Sequence, residues 1–435
     1  MLVQMMNEKQ SSSIGVINLL PFLLFFISIG IPFQQSDFVG SSSEESGIAN
    51  QIVLSFIYLL AILQVLKHPR FLSWLMSKVI LLELLFLLML ASALWSGYPG
   101  KVLISVIHNI GASFIAMSMA ILLFHNKNKF YSVLLFAIFI YYLGTISVAL
   151  FSPDRGVMPP TYLYGIGRWR GWTDNPNSLG CICFFGAWIC SCVIFLSNAS
   201  RKMFYFAILN LILGFYILNK TNSMTSIITS IAIVFCSLWF STFYRVSNGS
   251  RLAKVALYVS IPVVSVVLLF VFHEFFSLDL FFKLTGRSEN FTGRSVLWQT
   301  ALEAFSVKPY FGWSYDSLRS FSSQYVFRYT ELHNGYLDLL VRGGLISSAV
   351  FVLLLVQLVY LLFKKIIQGG LDYMAIAVLV MSVILHNMTE SSILTNTSLP
   401  WLMFLLGSFY TMNLDGFFKK LPEPMTESRK PSNFI

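Results

Sequence analysis

Twelve long apolar runs divide this chain, at roughly 14–33, 50–66, 79–95, 102–124, 131–151, 177–197, 203–219, 224–243, 255–272, 343–363, 371–388 and 400–414. Each run is continuous. A helix needs about 20 apolar residues to cross the hydrocarbon core, so twelve crossings would use about 240 residues, more than half of the 435 present. A membrane β-barrel would instead alternate apolar and polar residues in segments of about ten. Charged residues make up 11%, against about 25% in an average soluble domain, too few to clothe a water-facing surface. The balance excludes a soluble enzyme, a disordered chain and an ordinary nucleic-acid-binding protein. The expected fold is an all-α polytopic membrane protein with about 12 transmembrane helices.

An even number of spans places both termini on one side. On that side the loops and ends carry 17 of the 29 Lys and Arg residues, among them Lys67, Lys78, Lys127, Lys129, Arg201, Lys202, Lys364 and Lys365. The short loops of the other side carry only Lys101 and Lys220. Short loops decide orientation by the positive-inside rule, so both termini are expected in the cytoplasm. The expected organisation is a cytoplasmic N-terminus (1–13), helices 1–9 within 14–272 with an outer loop at 152–176, a large outer loop at 273–342, helices 10–12 within 343–414, and a cytoplasmic tail (415–435). The first apolar run lacks a small-residue cleavage site and reads as a retained span.

The outer segments hold Arg155, Arg168, Arg170, Arg287, Arg294, Arg319, Arg328 and Arg342, eight of the thirteen arginines. Arginine is suited to bidentate capture of phosphate or carboxylate. An arginine-rich exterior that runs against the topogenic bias points to an anionic ligand there, although long loops also escape the charge rule. Cys181, Cys183, Cys190, Cys192 and Cys236 all lie in apolar runs and read as small buried hydrophobes rather than a disulfide framework. No metal-ligand cluster is evident from spacing.

Three outer segments carry polar chemistry. In TGRSVLW (292–298), Arg294 opens a helix expected over 295–305, on which Leu297, Ala301 and Ala304 or Phe305 share one face and which Lys308-Pro309 ends. Free N–H groups at a helix start bind anions. In ELHNGYLDLLVRGG (331–344), His333 stands where a helix begins and runs into a span. It is either a general base working near neutral pH or an interfacial capping residue. Asp338, five residues on, does not share its helical face. In RWRGWTDNPNSLG (168–180), Arg168 and Arg170 precede a span, and Asp174, Asn175 and Asn177 supply turn and cap chemistry around Pro176. Glu83, His108-Asn109 and His386-Asn387 lie within or near spans, where ionisable groups raise the alternative of ion or proton coupling.

These segments, taken in order with SALWSGYP (92–99), KPYFGWSYDS (308–317) and MTESSIL (388–394), resemble the O-antigen ligase/polymerase superfamily. The last is similar to its exopolysaccharide-polymerase branch. The resemblance implies a GT-C-like helical core with a large helical periplasmic loop between spans 9 and 10. It also implies a metal-independent, inverting glycosyltransferase in the bacterial inner membrane, without a cofactor. The donor would be an undecaprenyl-diphosphate-linked glycan and the acceptor another glycan, with membrane lipid around them and a chain-length regulator as a further partner. Carried over to this sequence, Arg294 would hold the donor diphosphate and His333 would be the catalytic base. Arg170 would be a supporting cation, with Arg168, Arg287 and Arg342 as further candidate ligands. Members carry an outer arginine in the turn before the eighth span. Here NKTNSMTS (219–226) offers Lys220 instead, so either Lys220 substitutes as a point charge or other residues hold the diphosphate.

The residues agree with such chemistry. Lipid diphosphate leaves readily once its charge is neutralised, and arginines can supply that electrostatic stabilisation. A sugar hydroxyl must lose a proton as it attacks, which an imidazole can accept. A polymerase is the leading expectation, and a ligase acting on lipid A core is the nearest alternative. A transporter or flippase, the rival from another class, would place polar residues or broken helices along mid-membrane, whereas here the polar weight lies in the outer loops.

Overall fold

The computed structural model describes residues 17–30, 44–160, 167–197, 199–247, 255, 294–325, 331–367 and 371–412. The expected termini, nearly all of the expected span 255–272 and the first third of the large loop, with Arg287, lie outside the described residues. So does Arg328.

The described chain is a helix bundle. Its elements are α1 (Leu20–Gly30), α2 (Glu44–Leu66), α3 (Pro69–Met76), α4 (Ile80–Ala91), α5 (Pro99–His125), α6 (Lys127–Phe151), α7 (Pro176–Ser191), α8 (Arg201–Thr221) and α9 (Met224–Ser247). After these come α10 (Arg294–Val307), α11 (Arg319–Tyr325), α12 (Gly335–Ile367), α13 (Leu371–His386) and α14 (Leu399–Thr411). A two-residue antiparallel pair, β1 (Val157–Met158) with β2 (Arg168–Trp169), sits in the connection before α7. Among the described residues, six helices are long and apolar enough to cross a membrane: Pro99–His125, Lys127–Phe151, Pro176–Leu196, Arg201–Thr221, Met224–Tyr244 and Gly335–Ile367. Shorter apolar helices cover Asn50–Leu66, Ile80–Leu94, Leu371–His386 and Leu399–Thr411.

Local sequence sets where the helices begin. Proline occupies the first turn of α3, α5, α7 and α14, where its missing N–H costs no hydrogen bond. The side chains of Asn126, Asn175, Ser200 and Ser398 accept the free N–H groups of Lys129, Ser178, Met203 and Trp401, the usual role of a cap. α5 and α7 are enclosed by their neighbours, whereas α8 turns Tyr205, Leu209, Ile212 and Tyr216 outward, and α12 does the same with Val352, Val356, Val359 and Phe363. An outward apolar stripe at helical spacing on water-free helices is what lipid contact requires. Inside the bundle, close packing takes over. Tyr142 presses its hydroxyl between Gly186 and Gly214, and Trp188 Nε1 donates to Ala375 O at 2.8 Å, joining α7 to α13. The five cysteines are free, four of them buried.

Contacts separate the bundle's two ends. At one end Lys127 pairs with Asp372 at 2.9 Å and the His68 and His125 rings lie 6.4 Å apart. At the other, the 92–99 turn meets the segment that follows α10. Ser96 Oγ donates to Asp316 Oδ2 at 2.8 Å, and Gly97 N donates to Ser320 Oγ at 3.0 Å. Here α10 packs Leu297, Ala301 and Ala304 against Trp313, Phe321, Leu332 and Val341, a second apolar core outside the bundle proper. Trp313 Nε1 donates to Ala304 O and Trp313 N to Val341 O, both at 2.9 Å. α12 breaks at Gly344, whose φ is 65°. Gly312, with φ of 68°, crosses directly over it, and a Cβ on either residue would collide with backbone. Only glycine meets both demands.

Candidate functional site

His333 stands in the end of the molecule that holds the α10 unit, two residues before α12. Its φ is 49°, a left-handed conformation. Asn334 forms the cap instead: its Oδ1 accepts from Tyr336 N at 3.1 Å and Leu337 N at 3.0 Å. His333 is thereby released from capping. Its Nδ1 lies 3.2 Å from Glu390 Oε2 and 3.5 Å from Glu331 Oε1. The histidine side chain is 25% exposed and that of Glu390 9%, so the pair is reachable from one side and sheltered on the other. Asp338 is turned away, into an ion pair with Arg342.

Glu390 is itself held. Asn177 Nδ2 donates to Glu390 Oε1 at 3.0 Å, and Arg168 donates through Nη2 to Asn177 Oδ1 at 3.0 Å. Arg168 is buried and also donates through Nε to Thr221 O at 2.7 Å. A directed chain of hydrogen bonds thus runs from Arg168 on β2, through the first turn of α7, to the loop after α13 and on to His333. Asn175 takes the cap of α7, which leaves Asn177 free for this link.

The loop that carries Glu390 is braced from below. Arg342, buried in α12, donates through Nη2 to Ile393 O at 2.7 Å and through Nη1 to Leu394 O at 3.2 Å. Its charge is met by Asp338 Oδ2 at 2.9 Å. Asn387 Oδ1 accepts from Ser392 N and Ser392 Oγ, while Asn387 O accepts from Gly335 N at 2.8 Å. Ser391 Oγ accepts from Asn334 N at 3.2 Å. Residues 331–335 and 387–394 are therefore tied into one piece.

Beside this piece lies a hollow of about 300 Å³. Glu331 and Glu390, the two carboxylates at His333, both line it. Asn177, Ser178, Asn396 and Thr397 add amide and hydroxyl groups, and Asn50 closes it from α2. His386 also reaches this wall, with Nε2 3.4 Å from Cys181 Sγ.

The other expected site residues are placed as follows. Arg294 is the first residue of α10, one turn ahead of Trp298, whose Nε1 donates to Leu332 O at 2.9 Å. The start of α10 is thus tied to the residue preceding His333. Arg170 is half-buried and donates to Arg155 O at 2.8 Å and Asp154 O at 3.2 Å. Lys220 is exposed, with Nζ 5.8 Å from the Tyr216 ring, in the turn whose Thr221 carbonyl Arg168 binds. Arg168 and Arg342, expected as ligands, spend the bonds named above on protein carbonyls, an amide and a carboxylate, and act as braces. Glu390, Glu331 and the bridging role of Asn177 were not anticipated from spacing. Glu331, His333 and Glu390 bring their ligand atoms within 4.8 Å of one another, close enough to hold a metal ion, a grouping that spacing along the chain does not reveal.

Residues 185–352, which include Lys220, Arg294 and His333, match the family described as O-antigen ligase. Over that segment the chain is similar to the O-antigen ligase/polymerase superfamily. No curated protein matches it. The match and the long apolar helices together support a multi-pass membrane protein. Its matched segment ends within α12, so Glu390 and the whole of α13 and α14 lie beyond it.

Proposed function

We propose that this protein is an inner-membrane glycosyltransferase that polymerises undecaprenyl-diphosphate-linked oligosaccharide repeat units of an O-antigen or exopolysaccharide on the periplasmic face. The observation that carries the reading is His333, poised 3.2 Å from a sheltered carboxylate that lines a polar hollow in a membrane-helix bundle. A carboxylate only accepts, so a hydrogen bond to Glu390 keeps the proton on Nδ1 and leaves the Nε2 lone pair to receive a proton. As the acceptor oxygen attacks the anomeric carbon, its proton passes to Nε2. The bond from that carbon to the diphosphate breaks, and the lipid diphosphate departs with the electron pair. One displacement inverts the anomeric centre. Glu390 then faces an imidazolium, whose charge it stabilises.

Arg294, at the N-terminus of α10, is the donor's diphosphate ligand in this reading, where the free N–H groups of the helix add to its charge. Arg170 and Lys220 are further cations near the same end, and Arg287 belongs to the segment leading to α10. Basic residues gather at the opposite end, Lys127, Lys129, Arg201 and Lys202 among them, which supports a cytoplasmic placement of that end. Transfer onto lipid A core is the alternative with the same donor chemistry.

The test is elongation by purified protein supplied with lipid-diphosphate-linked repeats. His333→Ala is expected to lower turnover about 100-fold or more with donor retention intact. Arg294→Lys is expected to weaken donor retention, because the charge survives and the bidentate geometry does not. Full elongation by His333→Ala removes the base assignment.

A further inference from the structure

The hollow beside Glu331 and Glu390 differs in chemistry from a diphosphate site. Among its described lining residues the charged groups are Asp174, Glu331 and Glu390, and none is Lys or Arg. The rest of its polar wall is mainly amide and hydroxyl, from Asn50, Asn177, Asn396, Ser178 and their neighbours, with His386 and Cys181 beside them. Carboxylates and amides arranged around a small space accept from and donate to neutral hydroxyls. They disfavour phosphate or a uronic acid, since like charges brought together in a partly desolvated hollow repel. The volume, about 300 Å³, sits at the lower end of the range for small-molecule sites, roughly 300–1,000 Å³, and fits a mono- or disaccharide rather than a lipid-borne oligosaccharide.

We infer that this hollow is the acceptor subsite and that it takes an uncharged sugar at the growing end of the acceptor glycan, held against the carboxylates that flank His333. The inference rests on the glycosyl-transfer reading above and adds to it a location and a charge class for the acceptor. Donor and acceptor then occupy regions of opposite charge: the start of α10, opened by Arg294, for the diphosphate, and carboxylates and amides for the sugar.

The experiment uses the full-length protein in nanodiscs with lipid-diphosphate-linked repeats as donor. Methyl hexosides and the matching methyl hexuronides serve as competing acceptors. The neutral glycosides are expected to be glycosylated or to suppress chain growth, and the uronides to do neither at the same concentration. Uronides that compete as well as hexosides overturn the charge class. Asn50→Trp, which fills the hollow from α2, is expected to raise the acceptor concentration for half-maximal rate at least tenfold, with retention of polyprenyl diphosphate unchanged. Asn50→Leu keeps the size, removes the amide and is expected to give a smaller rise in the same direction. Unchanged acceptor dependence in Asn50→Trp, or an equal loss of polyprenyl diphosphate retention, overturns the subsite assignment while leaving the enzymatic reading in place. A wild-type protein that forms no glycosidic bond with any acceptor removes both.

Discussion

Replacing Glu390 by Gln tests the hydrogen-bond chain by its polarity. Arg168 only donates, so Asn177 must present Oδ1 to it and Nδ2 to Glu390, the arrangement observed at 3.0 Å on both sides. Glu390 can then accept from Asn177 with one oxygen and from His333 with the other. The amide that replaces it has a single oxygen. If that oxygen faces His333, the new NH2 confronts the NH2 of Asn177, and Asn177 cannot flip without confronting Arg168. The change forfeits a hydrogen bond between a charged group and His333, about 1.5–3 kcal/mol, and the 9% exposure of the Glu390 side chain leaves little solvent to soften it. At about 1.4 kcal/mol per decade, kcat should fall roughly 10- to 150-fold. Adding Asn177→Asp restores every partner. The carboxylate introduced on α7 accepts from Arg168 and from the new NH2, while the oxygen of the introduced amide accepts from His333. The double variant should therefore turn over faster than Glu390→Gln alone, though slower than wild type because the charge has moved away from the imidazole. The assay is elongation at saturating donor, with the single variants completing the cycle. Wild-type kcat in Glu390→Gln, or a double variant worse than the single, refutes the chain as an orienting device.

Other outcomes follow from the same geometry. Arg342→Ala leaves Asp338 buried without its partner and unties the carbonyls of Ile393 and Leu394, so a loss of about 3–5 kcal/mol is expected, read as a lower melting temperature in detergent. Arg342→Met with Asp338→Leu should recover much of that stability while turnover stays low. Glu331, His333 and Glu390 lie close enough to gather around a metal ion; added zinc should inhibit by occupying His333, EDTA should reverse it, and EDTA alone should leave elongation unchanged. At the opposite end, burial holds His68 below its usual value of 6.5, with the charges of His125 and Lys67 adding to the effect. The unfolded chain thus takes up that proton first as pH falls, so stability present above pH 6.5 declines below it, and a melting profile of His68→Gln should be flatter over that range.

The sequence declared the helices because each apolar run is continuous, and lipid-facing stripes such as those of α8 and α12 add no polar interruption. It also marked His333, since histidine at a membrane boundary is rare enough to notice. Its partner was hidden by distance: Glu390 lies 57 residues further along, and only the return of the chain after α13 brings the two together. Asn177 read as a cap because Asn beside Pro usually is one, yet Asn175 already fills that place. Arg168 and Arg342 were grouped with the outward arginines because composition reports on which side of the membrane a residue lies and says nothing of which way it points. Both turn inward, to backbone carbonyls that two short loops could not satisfy alone.

The break at Gly344 leaves α12 without part of its own ladder. Leu345 N and Ile346 N donate instead to Pro309 O at 2.8 Å and Tyr310 O at 3.1 Å, so the segment after α10 supplies a borrowed turn to a lipid-facing rod. Cleaving that segment would fray α12 from within its length, and a nick outside the bilayer would be felt by amides at its boundary.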